Sequence, residues 1–366
     1  MTSVLLVVST SDRRGAEVFA THLADRLRAE PRAGTDATTV DVVALAPGTG
    51  ANQLPIDALG PGRTHPSTLL ALVRAVRSHD VAVSNGGTTL WPVAAAAMLA
   101  RRPFVYRNIG DPAAWGTIRG AGLRIGLPLR RAAAVAALYP TAAEELITRY
   151  RLRRERVTII ANGVPEHDYV PVGDEARRSA AAALGLRDDL RWVGYVGALS
   201  PEKRPLLALE AVAGDDRLGI VVAGDGPQMD DCRRLADRHP ERIRLLGRVA
   251  SSRTVIDAVS AVVLPSRTEG ISGVAIEAAL CEVPVVTTAV GGMADVVADG
   301  RSGRVLHEPS ATELADAMWW AAGRRSELGA AGRRIALERF TLDIVARRWA
   351  DLLERALGRG AGDGAA

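Results

Sequence analysis

The chain has 366 residues, 48% hydrophobic and 24% charged, enough to bury one large core or two domains of ordinary size. Its 46 Lys and Arg face 42 Asp and Glu with the signs interspersed, so the net +4 makes no concentrated nucleic-acid footprint. Cys232 and Cys281 lie far apart, which argues against a disulfide framework or a zinc knuckle and fits a reducing, cytoplasmic setting; no basic leader and no apolar run of about 20 residues indicates export or membrane spanning.

In chain order, short apolar strands alternate with longer helical stretches rich in Ala, Leu and Arg. The series runs Val4 to Val8, Glu17 to Arg28, Val40 to Leu45, Leu69 to Arg77, Val81 to Ser84, Leu90 to Ala100 and Phe104 to Tyr106. It continues through a helical stretch from Arg124 to Leu138 and through Val157 to Ile160, closing in the turn Asn162-Gly163-Val164-Pro165. This is the βαβ rhythm of a parallel sheet. A polar, alanine-rich segment from Asp174 to Leu184 intervenes, and the rhythm restarts with Trp192 to Val196, Leu206 to Val212, Gly219 to Ala223, Ile243 to Leu246, Ala261 to Pro265 and Val283 to Thr287. Two α/β domains are expected. The last helices, Thr312 to Gly323 and Leu342 to Leu357, carry Trp319, Trp320 and Trp349 as packing anchors, and the tail from Gly358 is expected to fray.

Two facing doubly wound domains would set their strand-end crevices opposite each other, which suits group transfer. After the first strand, Ser9 to Glu17 leads into a helix and lets Gly15 bring backbone close to an anionic or sugar ligand. The G-x-G-x-x-G spacing is missing there, and Ala223-Gly224-Asp225-Gly226-Pro227 is too short for it, so a nicotinamide cofactor is disfavoured. The most informative segment runs from Ser266 to Glu277, with Glu269 and Glu277 eight positions apart around Gly270 and Gly273. A strand there feeds a glycine loop and then a helix from Val274. Backbone N–H groups at such a start have no intrahelical acceptor and suit phosphate oxygens, while Glu277, one turn on, reaches toward a sugar hydroxyl. Glu269 ends the strand at the crevice above the sheet. An ordinary strand-loop-helix connection would also explain these residues. Lys203, the one lysine of the chain, follows a strand in Val-Gly-Ala-Leu-Ser-Pro-Glu-Lys-Arg-Pro; its compact mobile charge suits a phosphate, although a chance survivor in an arginine-rich sequence would look the same.

Taken together, these motifs resemble the family 4 retaining glycosyltransferases nearly end to end. Gly15-Ala16-Glu17 is similar to the family's Gly-Gly-x-Glu loop, Asn162-Gly163-Val164 to its interdomain signature, Lys203 to its diphosphate lysine, and Gly224-Asp225-Gly226-Pro227 to its second-domain turn. Glu269 and Glu277 match its E-x7-E pair, Gly291-Gly292-Met293-Ala294-Asp295 its Gly-Gly-x-x-Glu, and Asp299-Gly300-x-x-Gly303 a later turn. The resemblance implies the GT-B fold, two facing Rossmann-like domains with a cleft between them. Residues 1–168 would take the acceptor and 169–341 the nucleotide sugar, with the final helix, 342–358, packing back on the first domain.

It further implies sugar transfer from a nucleotide-diphosphate sugar, without metal or separate cofactor and with retention, the acceptor's proton passing to the leaving phosphate. Lys203 and Glu269 become the catalytic residues, and Gly15, Ala198, Arg204, Gly224, Arg248, Val249, Gly270, Ile271, Ser272, Gly273, Val274 and Glu277 the donor-binding ones. Glu17, Asn108 and Asp111 fall on the acceptor side. Two departures stand out: Ala198 replaces a diphosphate-binding arginine, leaving Arg204, Arg248 and Arg267 as candidate substitutes in that order, and Tyr106 to Asp111 lacks a histidine that many members carry. A sugar-nucleotide epimerase, a phosphorylase and a non-catalytic nucleotide-sugar binder remain as alternatives. The acceptor is a small molecule, an oligosaccharide or a lipid-linked sugar; nucleic acid is excluded as a partner, oligomeric state stays open, and the mix of Leu, Ile, Gly and four arginines in 119–131 suits an interfacial helix at a membrane surface.

Overall fold

The computed structural model describes residues 2–29, 38–50, 52–112, 115 and 121–359. The expected fraying of the tail beyond 359 and the first residues of the expected interfacial stretch, 119 and 120, lie outside them. The chain divides into two compact units, Met1–Gly163 with Leu342–Ala366, and Val164–Thr341, so the first boundary falls ahead of the residue 168 read from the sequence.

The first unit contains β1 (Thr2–Thr10), α1 (Gly15–Ala29), β2 (Thr38–Ala46), β3 (Asp57–Ala58), α2 (Pro66–Arg77), β4 (Val81–Asn85), α3 (Gly87–Ala100), β5 (Phe104–Arg107), α4 (Ala121–Arg131), β6 (Ala134–Ala137), α5 (Pro140–Tyr150) and β7 (Val157–Ile159). Its strands form a parallel sheet in the order β3-β2-β1-β4-β5-β6-β7. The stretch expected to be one helix from Arg124 to Leu138 is instead a helix and a strand. Ala-Val-Ala-Ala is buried along its whole length, and a short strand covered on both faces shows no alternation to separate it from a helix.

The second unit contains α6 (Asp174–Ala183), β8 (Arg191–Val196), α7 (Pro205–Ala213), β9 (Leu218–Ala223), α8 (Met229–Arg238), β10 (Ile243–Gly247), α9 (Arg253–Ile256), β11 (Ala261–Leu264), α10 (Gly273–Leu280), β12 (Val285–Thr288), α11 (Met293–Val296), β13 (Gly303–Leu306), α12 (Ala311–Ala322) and α13 (Arg325–Arg339). Its sheet, also parallel, runs β10-β9-β8-β11-β12-β13. Local sequence places the helix starts: Pro140 and Pro205 open α5 and α7, and Ser310 with Glu313 forms a capping box on α12.

The final helix, α14 (Leu342–Ala356), packs in the first unit. Its Val345, Ala346, Trp349, Leu352 and Leu353 join a core with Val4, Leu6, Phe19, Leu23 and Val105. Trp349 is fully buried, and a side chain of that size contributes about 3 kcal/mol when removed from water. In the second unit Trp319 and Trp320 are partly buried against the core, with Arg191 stacked 3.5 Å from the Trp319 ring centroid. In each sheet the chain winds outward both ways from a central pair, β1 with β4 and β8 with β11. Loops leaving the carboxyl ends of such a pair diverge and open a crevice for ligands.

Candidate functional site

In the second unit the crevice lies between the loops that follow β8 and β11. Arg267 N–H donates to the Glu202 carbonyl at 2.7 Å, clamping the two loops together. Beside that clamp Lys203 Nζ donates to Glu269 Oε1 at 2.7 Å, and Ser266 Oγ donates to the same oxygen at 3.1 Å. The pair keeps a solvent window, the lysine side chain being 28% and the glutamate 13% exposed. A charge-assisted bond of this kind fixes the ammonium at the strand ends. Ser266 is buried and its carbonyl accepts from Thr288 Oγ1, so β12 supports the carboxylate through one intermediary. Sequence reading opened its segment on Ser266 without giving it this role and passed over Thr288; the available signal was a hydroxyl at each strand end beside apolar runs.

The Ser272 side chain makes no cap hydrogen bond to α10. The first-turn N–H groups at Gly273 and Val274 therefore keep the positive end of the helix without an intrahelical acceptor. Gly291 holds the preceding loop in place. Its φ is +56°, and a β-carbon there would lie 1.9 Å from the Glu269 carbonyl oxygen, while Gly292 N–H donates to the Gly270 carbonyl at 2.7 Å. Gly270 and Ile271 are buried, and Ser272 to Val274 are half-buried.

Glu277 folds back over that first turn, its Oε1 standing 3.6 Å from where a Gly273 β-carbon would be. Ser252 Oγ donates to Glu277 Oε2 at 2.5 Å and lies 3.5 Å from Tyr169 Oη. Part of Glu277 reaches solvent, yet protein surrounds it so closely that desolvation raises its pKa above the ordinary 4.5, with Ser252 and Tyr169 acting against the rise. A solvent-reachable carboxylate enclosed in this way is the mark of a concave site. Burial likewise pushes the Tyr169 phenol up to about 12, so it stays a protonated donor at neutral pH. Neither Ser252 nor Tyr169 belongs to a motif in the sequence.

The remaining donor-side candidates are held by the sheet. Gly224 has φ +151°, and a β-carbon there would come 1.8 Å from the Gly197 carbonyl oxygen; at Gly226 it would come 2.5 Å from the Leu199 carbonyl. The crossing of the two loops is a packing reason for both glycines. Ala198 is exposed, its carbonyl accepting from Tyr195 Oη at 2.8 Å, and Val249 is half-buried. Arg248 Nε donates to Asp225 Oδ2 at 3.1 Å, and Arg204, left-handed at φ 51°, donates to the Pro309 carbonyl at 3.5 Å. The two foremost substitutes for the missing arginine thus each spend a donor on a protein acceptor, Arg248 on the Asp225 carboxylate and Arg204 on the Pro309 carbonyl. Arg267 is exposed.

In the first unit Gly15 opens α1 with open space around it. Glu17, in the first turn, is buried, and desolvation raises its pKa although Arg14 and Arg107 pull it down. Arg107 ends β5 fully buried. Its guanidinium donates to Asn162 Oδ1 at 2.7 Å, Asn85 Oδ1 at 3.1 Å and the Ala16 carbonyl at 3.5 Å, and lies 4.0 Å from the Phe19 ring centroid. Burial lowers its pKa to about 9, which leaves it cationic at neutral pH. One side chain therefore ties together the ends of β4 and β5, the start of α1 and the Asn162 turn. Asn108 is buried with neither side-chain amide atom hydrogen-bonded among the described residues, and Asp111 is half-buried. Sequence reading passed over Arg107 and Asn85; a charged residue closing the apolar run Phe-Val-Tyr-Arg was the available signal. Among the described residues no group of three or more His, Cys, Asp or Glu is placed to hold a metal ion, and no helix is long and apolar enough to cross a membrane.

The sequence matches two family models, Glycosyltransferase Family 4 over residues 13–167 and Glycosyl transferases group 1 over residues 159–322. Among curated proteins, the D-inositol 3-phosphate glycosyltransferase of Mycobacterium marinum is 37% identical over 174 residues, 45% of this chain and 36% of that protein. That of Kribbella flavida is 33% identical over 195 residues, 48% of this chain and 45% of that protein. The chain thus spans less than half the length of these relatives. Among solved structures, Anabaena HepE in complex with UDP-glucose has a TM-score of 0.83 at 22% identity, covering 97% of this chain and all of that one. Sucrose-phosphate synthase from Thermosynechococcus elongatus has 0.77 at 19%, covering 98% and all of that chain.

Proposed function

The chain belongs to the family 4 glycosyltransferases, the glycosyl transferases group 1, and from that membership we propose that it moves a sugar from a nucleotide-diphosphate sugar to an acceptor hydroxyl. The observation that carries this reading is the Lys203–Glu269 ion pair beside the uncapped start of α10, at the switch point of the second sheet. Departure of a nucleoside diphosphate leaves negative charge on its terminal phosphate. Lys203 and the N–H groups of Gly273 and Val274 meet that charge, so neither a metal nor a separate cofactor is called for. Glu277, held by Ser252 beside the same helix start, takes the ribose hydroxyls. Glu269 orients the lysine and faces the sugar. Transfer proceeds with retention, the acceptor proton leaving with the phosphate. HepE, whose fold this chain shares, has been crystallised with UDP-glucose, which supports a nucleoside-diphosphate sugar as donor.

Thermal-shift screening with UDP, GDP, ADP and dTDP and their sugars tests the reading. A true donor at a hundredfold excess over its Kd adds about 2.7 kcal/mol to the folded state, a midpoint rise of about 2 to 4 °C. If no nucleotide moves the midpoint, the donor assignment fails. Product analysis by NMR then distinguishes retention from inversion.

A further inference from the structure

We infer that the outer face of the α2–α3–α4 layer docks on an anionic lipid surface. By the right-handed crossover rule, α2, α3 and α4 all cover the same face of the first sheet, since α2 leads the chain from β3 to β4, α3 from β4 to β5 and α4 from β5 to β6, all in one direction across the sheet. They lie side by side: Trp91 Nε1 donates to the Arg124 carbonyl, and Arg131 reaches the Met98 sulfur at 3.0 Å. The outward face of this layer is unusually apolar. Leu70 is 53% exposed, Met98 57% and Leu99 63%, with Leu69, Trp91 and Leu127 also open to solvent. Solvated helix faces ordinarily carry charge at such positions, and a continuous apolar run marks a surface that meets something else.

Charge identifies the occupant. No acidic residue occurs in α2, α3 or α4. Arg74 and Arg77 close α2, Arg101 and Arg102 follow α3, and Arg130 and Arg131 close α4. Because parallel βαβ units run their helices in one direction, these six arginines line one end of the layer beside the exposed Met98 and Leu99. Nearby carboxylates are already engaged: Glu144 pairs with Arg154, Glu145 with Arg149, and Asp80 with Ser3 and Arg102. A second copy of the chain in a two-fold contact would set this cationic row against itself or against the same apolar face, without compensating carboxylates. An anionic bilayer matches both features, with phosphates for the arginines and the acyl boundary for Leu, Met and Trp. The inference is independent of the catalytic reading and uses none of its residues.

Vesicle co-sedimentation of the full chain tests it, with phosphatidylcholine alone and with equal parts phosphatidylcholine and phosphatidylglycerol. The anionic vesicles should bind, neutral ones should not, and added salt should weaken binding. Reversing Arg74, Arg77 and Arg101 to Glu should weaken binding at least roughly a hundredfold. Met98→Ser with Leu99→Ser should weaken it even at low salt, and Arg178→Glu in the second unit should leave it unchanged. Thermal midpoints check that each variant is folded, and the Met98 and Leu99 pair carries the test if the charge reversals fold poorly. Wild-type chain that ignores anionic vesicles, layer variants that bind like wild type, or self-association abolished by the layer variants in the absence of vesicle binding would each overturn the inference.

Discussion

Lys203 Nζ and Glu269 Oε1 stand 2.7 Å apart at the carboxyl ends of the strand pair from which the second sheet winds in both directions. The glutamate is steadied by Ser266, and the two loops are clamped by the backbone bond from Arg267 to Glu202. An ammonium held ready in this way meets leaving-group charge without reorganising first.

Lys203→Ala is expected to lower kcat/KM by about 10² to 10³, the loss seen when one preorganised donor is removed. Lys203→Arg should restore little, since a planar fork cannot follow the phosphate as a point charge does. Initial rates with the donor that gives the largest thermal shift measure both. An alanine variant that keeps the wild-type rate would remove Lys203 from the chemistry.

Glu277 joins nucleotide affinity to pH dependence. Its folded-state pKa lies above the ordinary 4.5, so between those values the folded chain binds more protons than the unfolded one. Stability from this group is complete below pH 4.5 and is lost as pH rises through the folded value. Glu277→Gln removes the ionisation and keeps an acceptor for Ser252. Its thermal midpoint at pH 7 should match or exceed wild type, while nucleotide Kd rises at least about tenfold from the lost charged hydrogen bond. Calorimetry at pH 4 and pH 7 with nucleotide titration checks both; a midpoint at pH 7 clearly below wild type would reverse the reading of the buried carboxylate.

How much of this was legible from residues alone follows from which forces act locally. The strand-helix rhythm and the Ser266 to Glu277 segment were visible because periodicity, glycine placement and helix-start chemistry are short-range. The strand Ala134–Ala137 was hidden inside a helical reading because alanines buried on both faces carry no period. Highly charged α8 and α13 escaped for the opposite reason, since few apolar positions mark their inner faces. Ser252, Tyr169 and Arg107 were silent because their roles come from partners 22 to 91 positions away, as in Ser252 with Glu277 and Tyr169, and Arg107 with Ala16, Asn85 and Asn162.

Gly291→Ala tests whether the donor loop depends on its support. A methyl group there meets the Glu269 carbonyl at 1.9 Å and must also adopt φ +56°, whereas Gly300, at φ +70°, has open space. Gly300→Ala should therefore cost about 1 kcal/mol, from backbone conformation alone. Gly291→Ala should cost about 2 to 4 kcal/mol and lower nucleotide affinity as well, because relief of the clash displaces the backbone between Glu269 and α10. Urea unfolding of both variants, with and without nucleotide, separates the contributions; equal losses in the two variants would show that the loop is not braced by Gly291.

Arg107 offers the corresponding test in the first unit. Its pKa of about 9 lies below the ordinary 12.5, so it is charged at neutral pH in both folded and unfolded chains, and stability rises with pH only between those two values. The burial cost is therefore present in full at pH 7 and is offset by bonds to Asn85, Asn162 and Ala16 and by the stack on Phe19. Arg107→Met relieves the burial cost but strips the guanidinium from two asparagine acceptors and from the neighbourhood of Glu17. The net loss expected is about 2 to 4 kcal/mol. Arg107→Lys keeps a charge but can satisfy only part of the fork, so it should fall between wild type and Met. Urea denaturation at pH 7 ranks the three; a methionine variant as stable as wild type would mean that the buried charge is held for the loops around Gly15 and Asn162 rather than for the fold, and its activity would then fall while its midpoint stayed put.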